Sequence, residues 1–384
     1  MIPTSVAIAG GGCAGLSLAR SLVERFTEMR VTIIEPRESW QNDRTWCRWA
    51  FPDCRDEPAT THRWSRMRVR GGGFDKTLDI AGTPYVHIPA GAFTDGVVQQ
   101  LRATGRCELR LGESVHGIGS HHDGATVSIG GEDTATPLRF DFVFDARPPE
   151  RESLDGRRGL LQHFLGEEIR LERPVLDPET AIVMDFGVDQ SEGLAFMYVL
   201  PFAPDRALFE ATFLTPRLAD QPDYQEMIRR YCEEELGSGI GESIREESGA
   251  LPMTTGPLGP PATARVWPIG TRAGVGRAST GYAFDAIQRD SIRICDALSR
   301  GRPRPAPPTP RLLTTLDSML ISLLSRSPDR GPEVFGRLFS HAPRDALLRF
   351  LNDRGSAADM LAVAWAMPKR LMIGHLLRGR WKQA

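Results

Sequence analysis

Two kinds of residue in this chain could carry chemistry: glycines spaced to admit phosphates, and acids set into apolar strands. Val6-Ala7-Ile8-Ala9 runs into Gly10-Gly11-Gly12-Cys13-Ala14-Gly15, where Gly10, Gly12 and Gly15 fill the pattern G-x-G-x-x-G. The first glycine permits a tight turn, the second lets the backbone approach a pyrophosphate, and the third lets a helix pack on the strand. A helix through Leu16 to Glu24 follows. The turn at Cys13 and Ala14 and the start of that helix then offer backbone N–H groups and a positive dipole end to phosphates. Glu35 closes the next apolar run, Val31 to Ile34. It stands about twenty residues after Gly15, where a ribose hydroxyl needs an acceptor. Strand, turn, helix, second strand and terminal acid in register predict a dinucleotide site.

The acids predict proton chemistry. Strict alternation over Arg206 to Phe213 puts Ala207, Phe209, Ala211 and Phe213 on one face and Leu208, Glu210 and Thr212 on the other. Glu210 on a cavity wall would have its pKa raised by desolvation and could give up a proton near neutrality; the alternative is an exposed strand carboxylate. Asp185, at the end of Ala181 to Met184, is a further candidate. Asp145 ends Phe142-Val143-Phe144 and reads as structural or close to the cofactor. Six scattered cysteines without a C-x-x-C pair, and eight histidines without ligand spacing, predict free thiols and no metal site.

The elements that must position these groups form a mixed α/β chain. A fingerprint this close to the first residue, in 384 residues, suits FAD better than NAD, because no second glycine-rich fingerprint follows. Pro36 to Asp56 reads as a long functional loop, and Thr94 to Ala103 as a helix capped by Thr94. Phe142 to Phe144 reads as the last strand of a Rossmann-type sheet. Ala181 to Phe186, Ala195 to Leu200 and Ala207 to Phe213 read as an antiparallel layer over the flavin. Arg265 to Gly270 returns to a buried strand, and Tyr282 to Leu298 to a helix. The expected division is a discontinuous FAD-binding domain (1–60, 90–150, 255–305), a substrate-binding β-sheet domain (61–89, 151–254), and a helical region beyond the proline-rich 302–310 segment (306–384). A net charge of −2 excludes nucleic acid as the expected partner. No eighteen-residue apolar run spans a bilayer. The first strand begins at once, which predicts no cleaved leader and a cytoplasmic protein.

Several segments, in order, resemble the flavin-dependent lycopene cyclase family. Asp43-Arg44-Thr45-Trp46 resembles its R-T-W segment, and Gln162-His163-Phe164-Leu165-Gly166-Glu167-Glu168 its Q-x-F-(L/I)-G-x-E segment. Leu208-Phe209-Glu210-Ala211-Thr212 is similar to F-L-E-E-T. Met184 to Phe186 and Phe196 to Pro201 resemble the central strands. Gly249 to Met253, and Gly270-Thr271-Arg272-Ala273-Gly274 running on to Ser279-Thr280-Gly281-Tyr282, resemble the C-terminal flavin segments.

The resemblance implies a redox-neutral cyclisation of polyene end groups to β-rings, with FAD held reduced by NADPH. It implies Glu168 and Glu210 as the acid–base pair, with Phe164, Phe186, Phe196, Tyr198, Phe209 and Phe213 around them. It also implies Arg44, Gly270, Gly274, Thr280 and Gly281 as cofactor contacts. Ala211 replaces the family's second acid, Thr271 stands where related flavoproteins carry Asp, and Arg48 and Arg277 are unexpectedly charged. Alternation alone puts Glu168 with Arg170, so an arginine-paired surface acid stays open. The alternatives are an aromatic-ring monooxygenase, whose D-G-x-x-S-x-V-R strand is absent here, and a cyclase of another prenyl chain. Leu312 to Leu324 is apolar with a helical period and Met367 to Arg380 mixes bulky apolar and basic residues, predicting either peripheral membrane contact or a packed helical subdomain.

Overall fold

A computed structural model describes residues 2–52, 54, 57–130, 136–149, 159–216, 223–255, 258–306, 309–369 and 371. Two sheets organise them. The first is parallel and five-stranded, in the order Val266–Pro268, Phe142–Asp145, Ser5–Ala9, Arg30–Glu35, Cys107–Leu111. Its central strands are apolar throughout because both faces are covered. The helices Cys13–Arg25, Ala90–Ala103 and Phe284–Ser299 bury Ile8, Leu16, Ile33, Phe93 and Phe144 on one side. A three-stranded antiparallel sheet buries Ala7, Ile34, Val127 and Val143 on the other. Phe142–Asp145 lies inside this sheet, and the edge belongs to the later Val266–Pro268 strand.

The second sheet has seven strands, in the order Ile240–Met253, Leu160–Leu171, Arg206–Thr215, Leu194–Ala203, Thr180–Asp185, Arg66–Gly71, Phe74–Asp79. Arg206–Thr215 sits between two neighbours with Ala207 to Thr215 all buried, so it is a central strand packed on both faces. The helix Tyr224–Arg230 and the turn after it cover the Ala207, Phe209 and Ala211 face. Leu208 and Leu214 meet the opposite core, built from Trp49, Trp64, Tyr85 and the C-terminal helices.

Two local expectations are corrected. Thr94 is buried inside the Ala90–Ala103 helix, which begins after Pro89. Proline's fixed φ and missing N–H suit that entry, and they outweigh the capping preference of Thr94. The expected 36–56 loop contains the strand Thr45–Trp49, paired antiparallel with Tyr85–Pro89. Its period-2 signal is masked because Trp46 and Cys47 are both apolar. The Leu312 to Leu324 segment packs inward: the Arg311–Arg326 helix buries Leu313, Ile321, Leu323 and Leu324.

The two unexpected arginines are explained by later acids. Buried Arg277 meets Asp317 at 3.1 Å, and Arg48 meets Asp285 at 3.4 Å. No described helix is long and apolar enough to cross a membrane, and the described residues contain no cluster suited to a metal. Residues 370 and 372–384, most of the basic C-terminal segment, lie outside the described residues.

Candidate active site and cofactor cradle

The glycine turn is shaped as its spacing predicts. Gly10 adopts φ 105°, open to glycine alone, and a Cβ on Gly15 would stand 2.0 Å from the Gly10 carbonyl oxygen. A Cβ on Gly12 would meet nothing within 4 Å. Open space therefore lies over the first turn of the Cys13–Arg25 helix, whose N-cap, Gly12, supplies no side-chain cap. Uncapped N–H groups facing open space fit a pyrophosphate. Buried Glu35 accepts from Gly11 N–H at 2.6 Å and from Arg37 Nε at 2.7 Å, so it braces the glycine turn.

Ala14 touches the Gly270–Ala273 turn, where a Cβ on Gly270 would lie 2.7 Å from Ala14 Cβ. Gly274 closes that turn in the left-handed region. Cys13 is half-buried at the helix start, and desolvation pushes its thiol up to about 12, so it packs rather than reacts. Asp145 is held by Arg147 at 2.8 Å and Arg272 at 3.5 Å, a bracing role at the strand end. Exposed Arg44 donates to the Asp43 carbonyl at 2.6 Å, at the rim of this region.

The large sheet carries the acids. Its register places Tyr198, Glu210, Gly166 and Glu247 in one row across four strands. Glu210 is 8% exposed; Thr212 Oγ1 donates to its Oε1 at 2.8 Å, and this is its one hydrogen bond among the described residues. Burial first of all, with the nearby Glu247 carboxyl adding to it against the Thr212 hydrogen bond, raises its pKa to about 8. That shift favours the protonated carboxyl near neutrality, and Oε2 has no hydrogen-bond partner among the described residues.

Tyr198 shares a 2.8 Å hydrogen bond with Tyr85, which donates to Tyr282 at 3.0 Å. Trp49 packs on Tyr85 and Tyr282, with ring centroids 4.8 and 5.0 Å away. Tyr282 follows Thr280 and Gly281, and a Cβ on Gly281 would stand 3.0 Å from Gln162 Oε1. The expected cofactor segment and the acid-bearing sheet therefore meet at this point. Gln162, Gly166 and Glu168 share the Glu210 face, which explains the every-second-residue spacing of their motif.

The other expected acids behave differently. Glu168 is on the Glu210 face but accepts from Arg245 Nε at 2.9 Å and lies 3.7 Å from Arg206, an ion-paired carboxylate one step along the strands. Asp185 is fully buried on the opposite face, held by Arg70, Tyr231 Oη at 2.6 Å and Gly187 N–H at 3.0 Å. Phe209 and Phe213 also point away from Glu210, toward Tyr231 and toward His163 and Tyr224. Alternation had already put them there. Phe164 and Phe196, both paired with Thr212, lie on the acid's side with Tyr198; Phe186 packs on Phe196, and Tyr85, Tyr282 and Trp49 join them there. Glu247, Tyr85 and Trp49 carry no motif of their own and are recruited by strand pairing alone.

The parallel sheet with its glycine turn, joined to a large antiparallel sheet, is the two-layered Rossmann-type fold of flavin-dependent enzymes. A flavin-dependent brominase shares it with TM-score 0.63 at 13% identity, covering 98% of this chain and 99% of that one. A geranylgeranyl bacteriochlorophyll reductase-like protein from Thermoplasma acidophilum gives TM-score 0.61 at 13% identity, covering 97% and 98%. Sequence narrows the class further. A family model described as lycopene cyclase protein matches residues 5–376, and the chain belongs to that family. It is 28% identical to a lycopene beta-cyclase of Paracoccus sp. (strain N81106 / MBIC 01143) over 94% of each chain. It is 26% identical to one of Pantoea ananas, over 76% of this chain and 73% of that one.

Proposed function

We propose that this chain is a lycopene beta-cyclase that binds FAD at the Gly10–Gly15 turn and closes polyene end groups to β-rings by acid–base chemistry. The observation that carries the reading is Glu210: a buried carboxyl, neutral near pH 7, at the F-L-E-E-T position of the family. The Oε2 proton of Glu210 passes to the terminal alkene, whose π pair forms the new C–H bond. The adjacent alkene closes the six-membered ring on the resulting tertiary cation. A base then removes a ring proton, and that C–H pair becomes the ring double bond, so no electrons are gained or lost. Glu168 is the base this reading assigns, its carboxylate kept ready by Arg245.

The rings of Tyr85, Tyr198, Tyr282 and Trp49 line the site without adding charge, and each aromatic face against a cation contributes about 0.5–2 kcal/mol. When bound and reduced by NADPH, FAD supplies an electron-rich ring that stabilises positive charge in the site. Gly12, Cys13 and Ala14 would hold its pyrophosphate and Glu35 its ribose, with Gly270, Gly274, Thr280 and Gly281 close to the remainder. We assign Asp185 and Asp145 to bracing.

The substrate is a long hydrocarbon that resides in a bilayer, and we place the protein peripherally on one, at its cytoplasmic side. Leu361 and Trp365, 72% and 75% exposed and four residues apart on the Ala357–Ala366 helix, support this contact. The Lys369 ammonium lies 3.3 Å from the Trp365 ring centroid, the pairing of ring and cation that suits a headgroup layer. Expression in a lycopene-accumulating bacterium, followed by pigment chromatography, tests the function. Conversion of lycopene to γ- and β-carotene is expected; unchanged lycopene or an oxygenated pigment would overturn it.

A further inference from the structure

Glu247 lies on the edge strand Ile240–Met253, and nothing in the reading above gives it a role. Gly166 pairs with Glu247 on one side and with Glu210 on the other. A Cβ at Gly166 would stand 3.1 Å from Glu247 Cγ and 3.7 Å from Glu210 Cβ, so glycine here opens the gap across which the two side chains face each other. Glu247 is 4% exposed, and Thr45 Oγ1 donates to its Oε2 at 2.8 Å. Arg245 Nη1 donates to the same oxygen, and Arg245 also donates to Thr45 at 2.8 Å and to Glu168 at 2.9 Å. The result is an ion-paired carboxylate held in one place.

We propose that Glu247 is a positioning residue for the proton of Glu210: its fixed negative charge, set across Gly166, favours the neutral acid form of Glu210. The inference rests on the acid–base reading of Glu210. Other titratable groups face Glu210 from every packed element: Tyr198 from the adjacent strand, Cys47 from Thr45–Trp49, Tyr85 from Tyr85–Pro89, and Tyr282 from the turn before the last Rossmann helix. Burial, the largest cause in each case, keeps all four protonated. The remaining charges, Glu168 with Arg245 and Arg206, lie one residue pair along the strands. Removing the Glu247 charge also leaves Arg245 less compensated, so both consequences push Glu210 to release its proton at lower pH.

The test uses the full chain loaded with FAD, reduced anaerobically, with lycopene in phosphatidylcholine vesicles. E247Q should move the alkaline limb of the kcat–pH profile down by about 0.5–1 pH unit, with kcat recovering below the limb and E247D falling between. An infrared titration without substrate gives a second readout. The protonated carboxyl band that E210Q removes should shift its midpoint by the same amount in E247Q. If E247Q does not fold, the E247D midpoint decides: a value below the parent's supports the proposal, and an equal one overturns it. An unshifted midpoint in folded E247Q overturns it as well. Full activity in E210Q would overturn the reading of Glu210 itself, which is a distinct failure.

Discussion

The two faces of the seven-stranded sheet bury Glu210 on one side and Asp185 on the other, and these two acids differ in chemistry. Asp185 is more deeply buried than Glu210, yet it is surrounded by an arginine, a tyrosine hydroxyl and a backbone N–H. Those donors tie it to the neighbouring strand and to the turn that covers that face, and make it a brace. Glu210 has a single neutral donor and a neighbouring carboxyl, so desolvation wins and its proton stays on up to a pKa of about 8. Burial alone does not make a catalytic acid. The set of partners around it does.

Exchanging the carboxyls for amides sharpens that contrast most. E210Q keeps shape but loses the titratable proton, so cyclisation should fall by roughly 10²–10⁴ while FAD remains bound. The rate per reduced enzyme and the flavin absorbance check it together, and near-parental turnover would break the contrast. Gly12→Val isolates the cofactor from the acids: the branched side chain fills the open space over the helix start, and the purified protein should lose its flavin while remaining folded. Full flavin content in that variant would contradict the cradle. Asp185→Asn should have the smallest effect on chemistry. It leaves Arg70 facing a neutral amide and should cost about 2–4 kcal/mol in denaturant unfolding, with the rate per folded enzyme close to parental. A rate loss as large as that of E210Q would place Asp185 in the reaction.

What could be read from the sequence follows how local each feature is. The cofactor cradle sits within one strand–turn–helix–strand unit, so Gly10, Gly12, Gly15 and Glu35 were legible from spacing. Glu210 was legible because alternation along one strand fixes its face. Asp185 was not excluded, since its partners Arg70 and Tyr231 come from distant segments. Glu247 was hidden for the opposite reason. Its strand also carries the charged Glu242, Arg245 and Glu246, so nothing local sets it apart, and only pairing through Gly166 brings it beside Glu210. Thr45–Trp49 is found by its pairing with Tyr85–Pro89 rather than by its own pattern.

The central claim is that a protein-borne proton, and no net electron transfer, closes the ring. The most direct measurement is a cyclisation in D₂O, run anaerobically with pre-reduced enzyme, following product mass and NADPH together. One deuterium per ring closed, at the protonated carbon, with NADPH constant after the initial reduction, is the predicted result. Stoichiometric NADPH oxidation, a requirement for oxygen, or rings free of deuterium would contradict it.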